Sequence, residues 1–197
     1  MGKKKFKKIV EATEEILREL GVSLEDENFI GTPDRYEKAY REFVWSKEKK
    51  EKEFLKIFKA VFTDSYDGVI TCGPIYVTSL CPHHLLPVKL RAVIAYLPDG
   101  KVIGASKLVR IIDVCSRDMI LQEKLTRDVA DVLMKSLKPK GVAVTLDGSH
   151  DCMTTRGVKQ DRCIFRNRVL RGAFLDDSAL RTEFLFDSLF TLLMGKD

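Results

Sequence analysis

Apolar and polar positions follow two different periods along this chain, and the change between them marks its organisation. Over residues 6 to 20, Phe6, Ile9, Val10, Thr13, Ile16, Leu17 and Leu20 fall on one face at helical spacing, and Gly21 ends the run. A turn-rich link leads to TPDRYEKAYREFVW. There Thr32 is placed to cap a second helix, Pro33 to open it and Asp34 to meet its dipole. Residues 48 to 53, KEKKEK, read as a polar surface segment, and 54 to 62 as a short stretch with no decided period. From Val69 the texture becomes that of strands. Segments 69–80 and 88–97 are rich in Val, Ile, Tyr and Thr, and Pro98-Asp99-Gly100 is a turn. Ser106 is placed to cap a helix over SKLVRIIDVCSR. A further helix spans about 120–137, with Leu125, Val129, Val132, Leu133 and Leu137 in register. GVAVTLDGSH predicts a strand ending in a polar turn, 162–174 another strand, and 178–194 a closing amphipathic helix.

The predicted order is two helices, two strands, two helices, two strands, one helix. Strands that come in pairs favour an α+β fold over a doubly wound α/β one. The texture divides the chain into a helical N-terminal region, 1–65, and a mixed domain, 66–197.

Composition adds limits. The chain has 197 residues, of which 45% are hydrophobic and 32% charged, which suits one compact domain with a helical appendage. No apolar run approaches the roughly 20 residues of a membrane span. The start is basic and then amphipathic, unlike a secretory signal. Met1-Gly2 would suit myristoylation, but Phe6 stands where Ser or Thr is needed. A cytoplasmic protein without membrane contact is therefore expected. Net charge is +5, and the one dense basic run, Lys3, Lys4, Lys5, Lys7 and Lys8, lacks the interleaved aromatics of a nucleic-acid surface. No nucleic-acid partner is expected, whereas an anionic substrate such as a nucleotide suits the charge. Five cysteines, an odd number, argue for reduced thiols rather than a disulfide framework. Cys115 sits in an apolar helical run and reads as a small core residue.

The candidate chemistry lies in two short segments. SLCPHHLLP, residues 79 to 87, holds Cys81, His83 and His84; SHDC holds His150 and Cys152. All three histidines and two of the five cysteines are thereby placed at two strand ends, which one sheet can bring together. A Cys₂His set with an open fourth position is a known form of catalytic zinc site. One metal needs three of these five groups, so two histidines remain for proton transfer near neutral pH. Ser106, Lys107 and Arg110 at a helix start form a natural anion site, and Arg156 follows Cys152 by four residues. Glu123, beside Gln122, offers a carboxylate able to accept from a pair of N–H donors. The residues by themselves indicate a zinc hydrolase of a phosphorylated substrate.

The motifs SLCPHHLLP, KVIGASKLVR, LQEKLT and SHDCMTTRG, together with TPDR and RTEFL, resemble the GTP cyclohydrolase I family in order and spacing. The resemblance covers roughly residues 10 to 190. It implies the tunnelling fold (T-fold), an antiparallel sheet with paired helices behind it. Subunits of that fold assemble into oligomeric β-barrels, two pentamers stacking into a homodecamer with sites between subunits. It implies zinc as the sole cofactor and GTP as the substrate. Hydrolytic opening of the guanine imidazole ring at C8 would release formate, and closure would give 7,8-dihydroneopterin triphosphate. By position, Cys81, His84 and Cys152 correspond to the zinc ligands, whose fourth place holds the attacking water, and His83 and His150 to the proton-transfer pair. Glu123, with the backbone around Leu121 and Gln122, corresponds to the guanine reader. Arg35, Ser106, Lys107, Arg110 and Arg156 correspond to the triphosphate and ribose clamp.

The chain departs from the family pattern in four places. Pro82 stands where Glu is usual, and CIFRNR replaces a strand of alternating Ser and Thr. Arg117-Asp118 replaces an Arg pair, and Ile120 replaces Gln. These departures keep two alternatives open. One is a divergent paralogue that takes another purine nucleotide or stops at a ring-opened product; the other is a non-enzymatic zinc-stabilised nucleotide-binding assembly. A nucleobase deaminase also uses a His/Cys/Cys zinc, but its HxE and PCxxC signatures are missing here.

Overall fold

The computed structural model describes residues 7–194. The lysines Lys3 to Lys5, the Met1-Gly2 pair and Phe6 lie outside the described residues. The chain divides into two compact units at Trp45/Ser46, whereas the change of texture in the sequence stands at 65/66.

In the first unit, helix α1 (Lys7–Glu19) packs on α2 (Thr32–Phe43). Thr13 is buried, but Ile16 and Leu20 of the same stripe remain exposed. The α2 start differs from the expected cap: Gly31, in the left-handed region at φ 73°, is the N-cap, and Thr32 is already helical. The Thr32 hydroxyl is occupied instead by Arg35, which donates to it from Nη2 at 2.6 Å.

The second unit is built on a four-stranded antiparallel sheet, β2 (Ile70–Leu80), β3 (Pro87–Leu97), β5 (Gly141–His150) and β6 (Phe165–Gly172), in the order β2-β3-β5-β6. Short strands β1 (Val61–Thr63) and β4 (Lys101–Ile103) form a separate pair. Helices α4 (Ala105–Ser116) and α5 (Gln122–Leu137) link β4 to β5; α5 lies on β5 and β6, and α4 on β2. The other face of the sheet is covered by α7 (Ala173–Asp176) and α8 (Ser178–Met194), through Val93, Ala95, Ala143, Phe174, Phe184 and Leu192. Both faces of β5 are thus covered, and every residue from Gly141 to Gly148 is buried. That explains its near-continuous apolar run. The α+β class with its antiparallel sheet and paired helices is the one expected from the sequence.

Two local readings change. Residues 47–57 are a helix, α3 (Lys47–Ile57), with Ser46 accepting from the Lys49 N–H at 3.3 Å. The KEKKEK segment is polar, but it consists of strong helix formers, and propensity decides where no strand pairing competes. Helix α4 is capped two residues earlier than expected: Gly104 is its N-cap, and Ser106 lies inside the first turn without capping it. Cys115 is buried, as expected, and burial pushes its thiol up to about 12.

Candidate active site

The site is assembled by strand register at one end of the sheet. Leu80 pairs with Pro87, Val88 with His150, and Gly148 with Phe165, so the ends of β2, β3 and β5 and the start of β6 meet there. Between β2 and β3 the chain turns tightly: Cys81 N–H donates to the Leu86 carbonyl and Leu85 N–H to the Cys81 carbonyl, both at 2.9 Å. Pro82 opens this turn. Its fixed φ suits that place, and neither bond of the turn needs its missing N–H. On the other side, Ile120 N–H donates to the Leu80 carbonyl at 3.1 Å. This bond ties the start of α5 to the Cys81 turn.

The result is a cavity of about 240 Å³ lined by Cys81, Pro82, His83, His84, Leu121, Gln122, Glu123, His150 and Cys152, with Val88, Ile120, Met153 and Phe165 as its apolar wall. Cys81, His84 and Cys152 place one ligand atom each within 4.8 Å of one another. Cys81 Sγ lies 3.9 Å from His84 Nδ1 and equally 3.9 Å from His83 Nδ1. Among the described residues it is His84 that joins Cys152 in the mutually close set. Ligand atoms of a tetrahedral zinc site stand roughly 3.5–3.8 Å apart, from bond lengths of about 2.3 Å to sulfur and 2.0–2.1 Å to nitrogen. The donor set and its spacing therefore fit a metal ion of that kind. Burial, with Cys81 alongside, pushes the Cys152 thiol up. A dication at the cluster would remove that penalty by favouring the thiolate.

His150 lies at the far wall. Its Nε2 is 2.9 Å from Gln122 Oε1, and its ring meets Phe165 edge-on at 5.8 Å between centroids. Burial holds the imidazole below the ordinary histidine range, against the opposing pull of the Glu123 carboxylate. Gln122 is itself 3% exposed, and its Nε2 donates to the Leu146 carbonyl at 3.1 Å, the Phe165 carbonyl at 2.9 Å and Asn167 Oδ1 at 2.8 Å. Glu123 is exposed in the first turn of α5, where no side chain caps the helix. Its carboxylate and the free N–H groups of that turn face the same end of the sheet.

The remaining sequence candidates do not line the cavity. Ser106, Lys107 and Arg110 stand in the first two turns of α4, with Ser106 and Arg110 exposed. Arg156 is exposed just beyond the short helix α6 (Asp151–Thr154). Arg35 belongs to the first unit, where its guanidinium also donates to the Ile30 carbonyl at 2.9 Å. The sequence reading overlooked Phe165, Asn167 and Gly148. Only Gly148 carried a signal: a lone glycine in a strand often marks a close approach, and a Cβ there would meet Gln122 Oε1 at 2.0 Å.

The departures from the family pattern have local roles. Arg166 donates to both oxygens of the buried Asp147, at 2.5 and 2.6 Å. Asp118 accepts from Lys50 Nζ at 2.7 Å, and Ile120 is part of the cavity wall.

The profile of the family described as GTP cyclohydrolase I matches residues 9–188. A relative named GTP cyclohydrolase 1 from Chlorobaculum tepidum is 36% identical over 177 residues, covering 90% of this chain and 78% of its own. Another of that name, from Caldanaerobacter subterraneus subsp. tengcongensis, is 40% identical over 177 residues, covering 89% of this chain and 93% of its own. The crystal structure of the archaeosine synthase QueF-Like in the apo form superposes with a TM-score of 0.41 at 16% identity, over 57% of this chain and 94% of that one. Among the described residues, no helix is long and apolar enough to cross a membrane.

Proposed function

The chain belongs to the GTP cyclohydrolase I family, and from that premise we propose that it opens the guanine imidazole ring of GTP at C8, releases formate and closes the product to 7,8-dihydroneopterin triphosphate. The observation that carries the reading is the single cavity that gathers Cys81, His84 and Cys152 with His83, His150 and Glu123. Cys81, His84 and Cys152 would hold zinc, which when bound supplies Lewis acidity for a hydrolytic attack. The chain's own groups do the rest. Glu123 accepts from the N1–H and 2-amino donors of guanine, a pair that adenine lacks. The unpaired N–H groups at the α5 start, around Leu121 and Gln122, complete the edge of the base. His83 and His150 carry protons to and from the opening ring. The apolar wall formed by Val88, Ile120, Met153 and Phe165 limits water around them.

Ser106, Lys107, Arg110, Arg156 and Arg35 form the triphosphate and ribose clamp in this reading. The α4 cations do not line the cavity of their own chain, and a site completed by a neighbouring copy accommodates them. Two further features support such an assembly. Strands β2 and β6 are open sheet edges, and closing the sheet into a barrel with other copies removes them. Helix α8 also exposes Phe186, Phe190, Leu193 and Met194, an apolar stripe suited to burial between subunits. A homodecamer of two stacked pentameric barrels is the proposed form.

Incubation of zinc-loaded protein with GTP tests the function. Formate release and a product that fluoresces as a pterin after oxidation are expected. Zinc-bound, assembled protein that yields neither would refute it. A ring-opened product without fluorescence would support the divergent-paralogue reading instead.

A further inference from the structure

The cavity wall behind His150 contains a hydrogen-bond chain whose direction can be read without ambiguity. It starts at an atom that can only accept, the Gln122 backbone carbonyl, to which Thr126 Oγ1 donates at 2.7 Å. With its hydrogen so used, Thr126 Oγ1 accepts from Asn167 Nδ2 at 2.8 Å. That turns Asn167 Oδ1 toward Gln122 Nε2, 2.8 Å away. The Gln122 amide also faces the Leu146 and Phe165 carbonyls, which only accept. Its NH₂ must therefore point to these three oxygens, and its Oε1 must point to His150. An oxygen facing His150 Nε2 at 2.9 Å requires that this nitrogen carry the hydrogen.

We propose that Gln122 and Asn167 are positioning residues for His150: their hydrogen-bond chain holds the neutral imidazole as the Nε2–H tautomer and leaves Nδ1 as the atom that exchanges protons with the substrate. The inference rests on the reading of His150 as a proton carrier. It also gives the Gln122 side chain a role turned away from the base, while its backbone N–H stays free for guanine. Asn167 comes from β6, and register sets it directly opposite Leu146.

Ring-¹⁵N spectra of protein labelled at histidine test the tautomer. The chain has three histidines, so the His150 signals are assigned by their loss in His150→Ala. Protonated Nε2 and unprotonated Nδ1 are expected in the wild type. Gln122→Met removes the acceptor at similar size. It should mix the tautomers and lower kcat for GTP roughly 10- to 100-fold, the range seen when a partner that orients an active imidazole is lost, with KM and zinc content unchanged. Asn167→Leu should act in the same direction to a smaller extent. A merely structural role would lower Tm and leave the spectrum alone. Protonated Nδ1 in the wild type, or a wild-type His150 spectrum in Gln122→Met, would overturn the proposal. The spectra do not depend on turnover. Failure of the wild type to convert GTP would therefore count against the proposed function and leave the tautomer assignment standing.

Discussion

Replacing Gly148 by alanine adds one methyl group at the most crowded point of this site. The new Cβ would lie 2.0 Å from Gln122 Oε1, 2.9 Å from its Cδ and 3.1 Å from His150 Nε2. Both flexible groups it meets are held in place, Gln122 by three acceptors and His150 by Gln122 itself. The backbone there is paired on both sides, with Leu90 of β3 and Phe165 of β6, and this pairing holds it in place. Gln122 must therefore give up its place. Gln122 has two hydrogens to share among its acceptors and one bond through Oε1 to His150, and losing these three bonds costs roughly 1 kcal/mol each; alanine returns about 0.5–1 kcal/mol relative to glycine in a strand. The net loss is about 2 kcal/mol, or roughly 4–8 °C in Tm for a chain of this size. Turnover of GTP should fall by at least roughly 10-fold, as His150 loses its orienting partner. Thermal melts, zinc content and steady-state rates of the single and double variants supply the check. In a Gln122→Ala background the space is vacant, so Gly148→Ala should be nearly neutral there. Equal costs of Gly148→Ala in both backgrounds would refute the steric argument, because independent sites add and clashing neighbours do not.

Chelation of zinc should abolish turnover and zinc should restore it, while far-UV circular dichroism stays unchanged, since the cluster lies at the end of the sheet and the buried core lies between its faces and the helices. Glu123→Gln should lower kcat/KM for GTP roughly 10- to 100-fold, the worth of a charged hydrogen bond. It should also narrow the preference for GTP over inosine triphosphate, which lacks the 2-amino group; an unchanged preference would remove Glu123 from base recognition. Arg166→Met should cost about 3 kcal/mol in urea denaturation. It strands Asp147, 1% exposed, with Arg91 at 3.6 Å as its remaining partner. Asp147→Asn combined with Arg166→Met should recover much of that loss.

Sequence pattern located most of the large elements within a few residues because each carries its own period. Helix α5 repeats Leu125, Val129 and Leu133 along the face it buries, and α8 was expected at 178–194, its observed limits. The exception, α3, has the composition of a helix without the apolar stripe that pattern detection relies on. The Cys81–His84 and His150–Cys152 segments were legible for the same local reason, since each pair lies within one turn of chain. What joins the two segments is register, the pairing of Val88 with His150, and no spacing in the sequence encodes it.

The same distinction resolves CIFRNR, which as a string is only bulky and basic. Its last four residues, Phe165 to Arg168, lie in β6 and alternate between faces. Arg166 points to the face where it neutralises buried Asp147. Phe165 and Asn167 point to the opposite one, against His150 and Gln122. One segment therefore does two separate jobs, and the alternation predicts that they separate experimentally. Arg166→Met should change stability and leave the His150 ring spectrum as it was. Asn167→Leu should change that spectrum at a smaller cost in stability, because Asn167 is only half-buried and its loss leaves no charge without a partner.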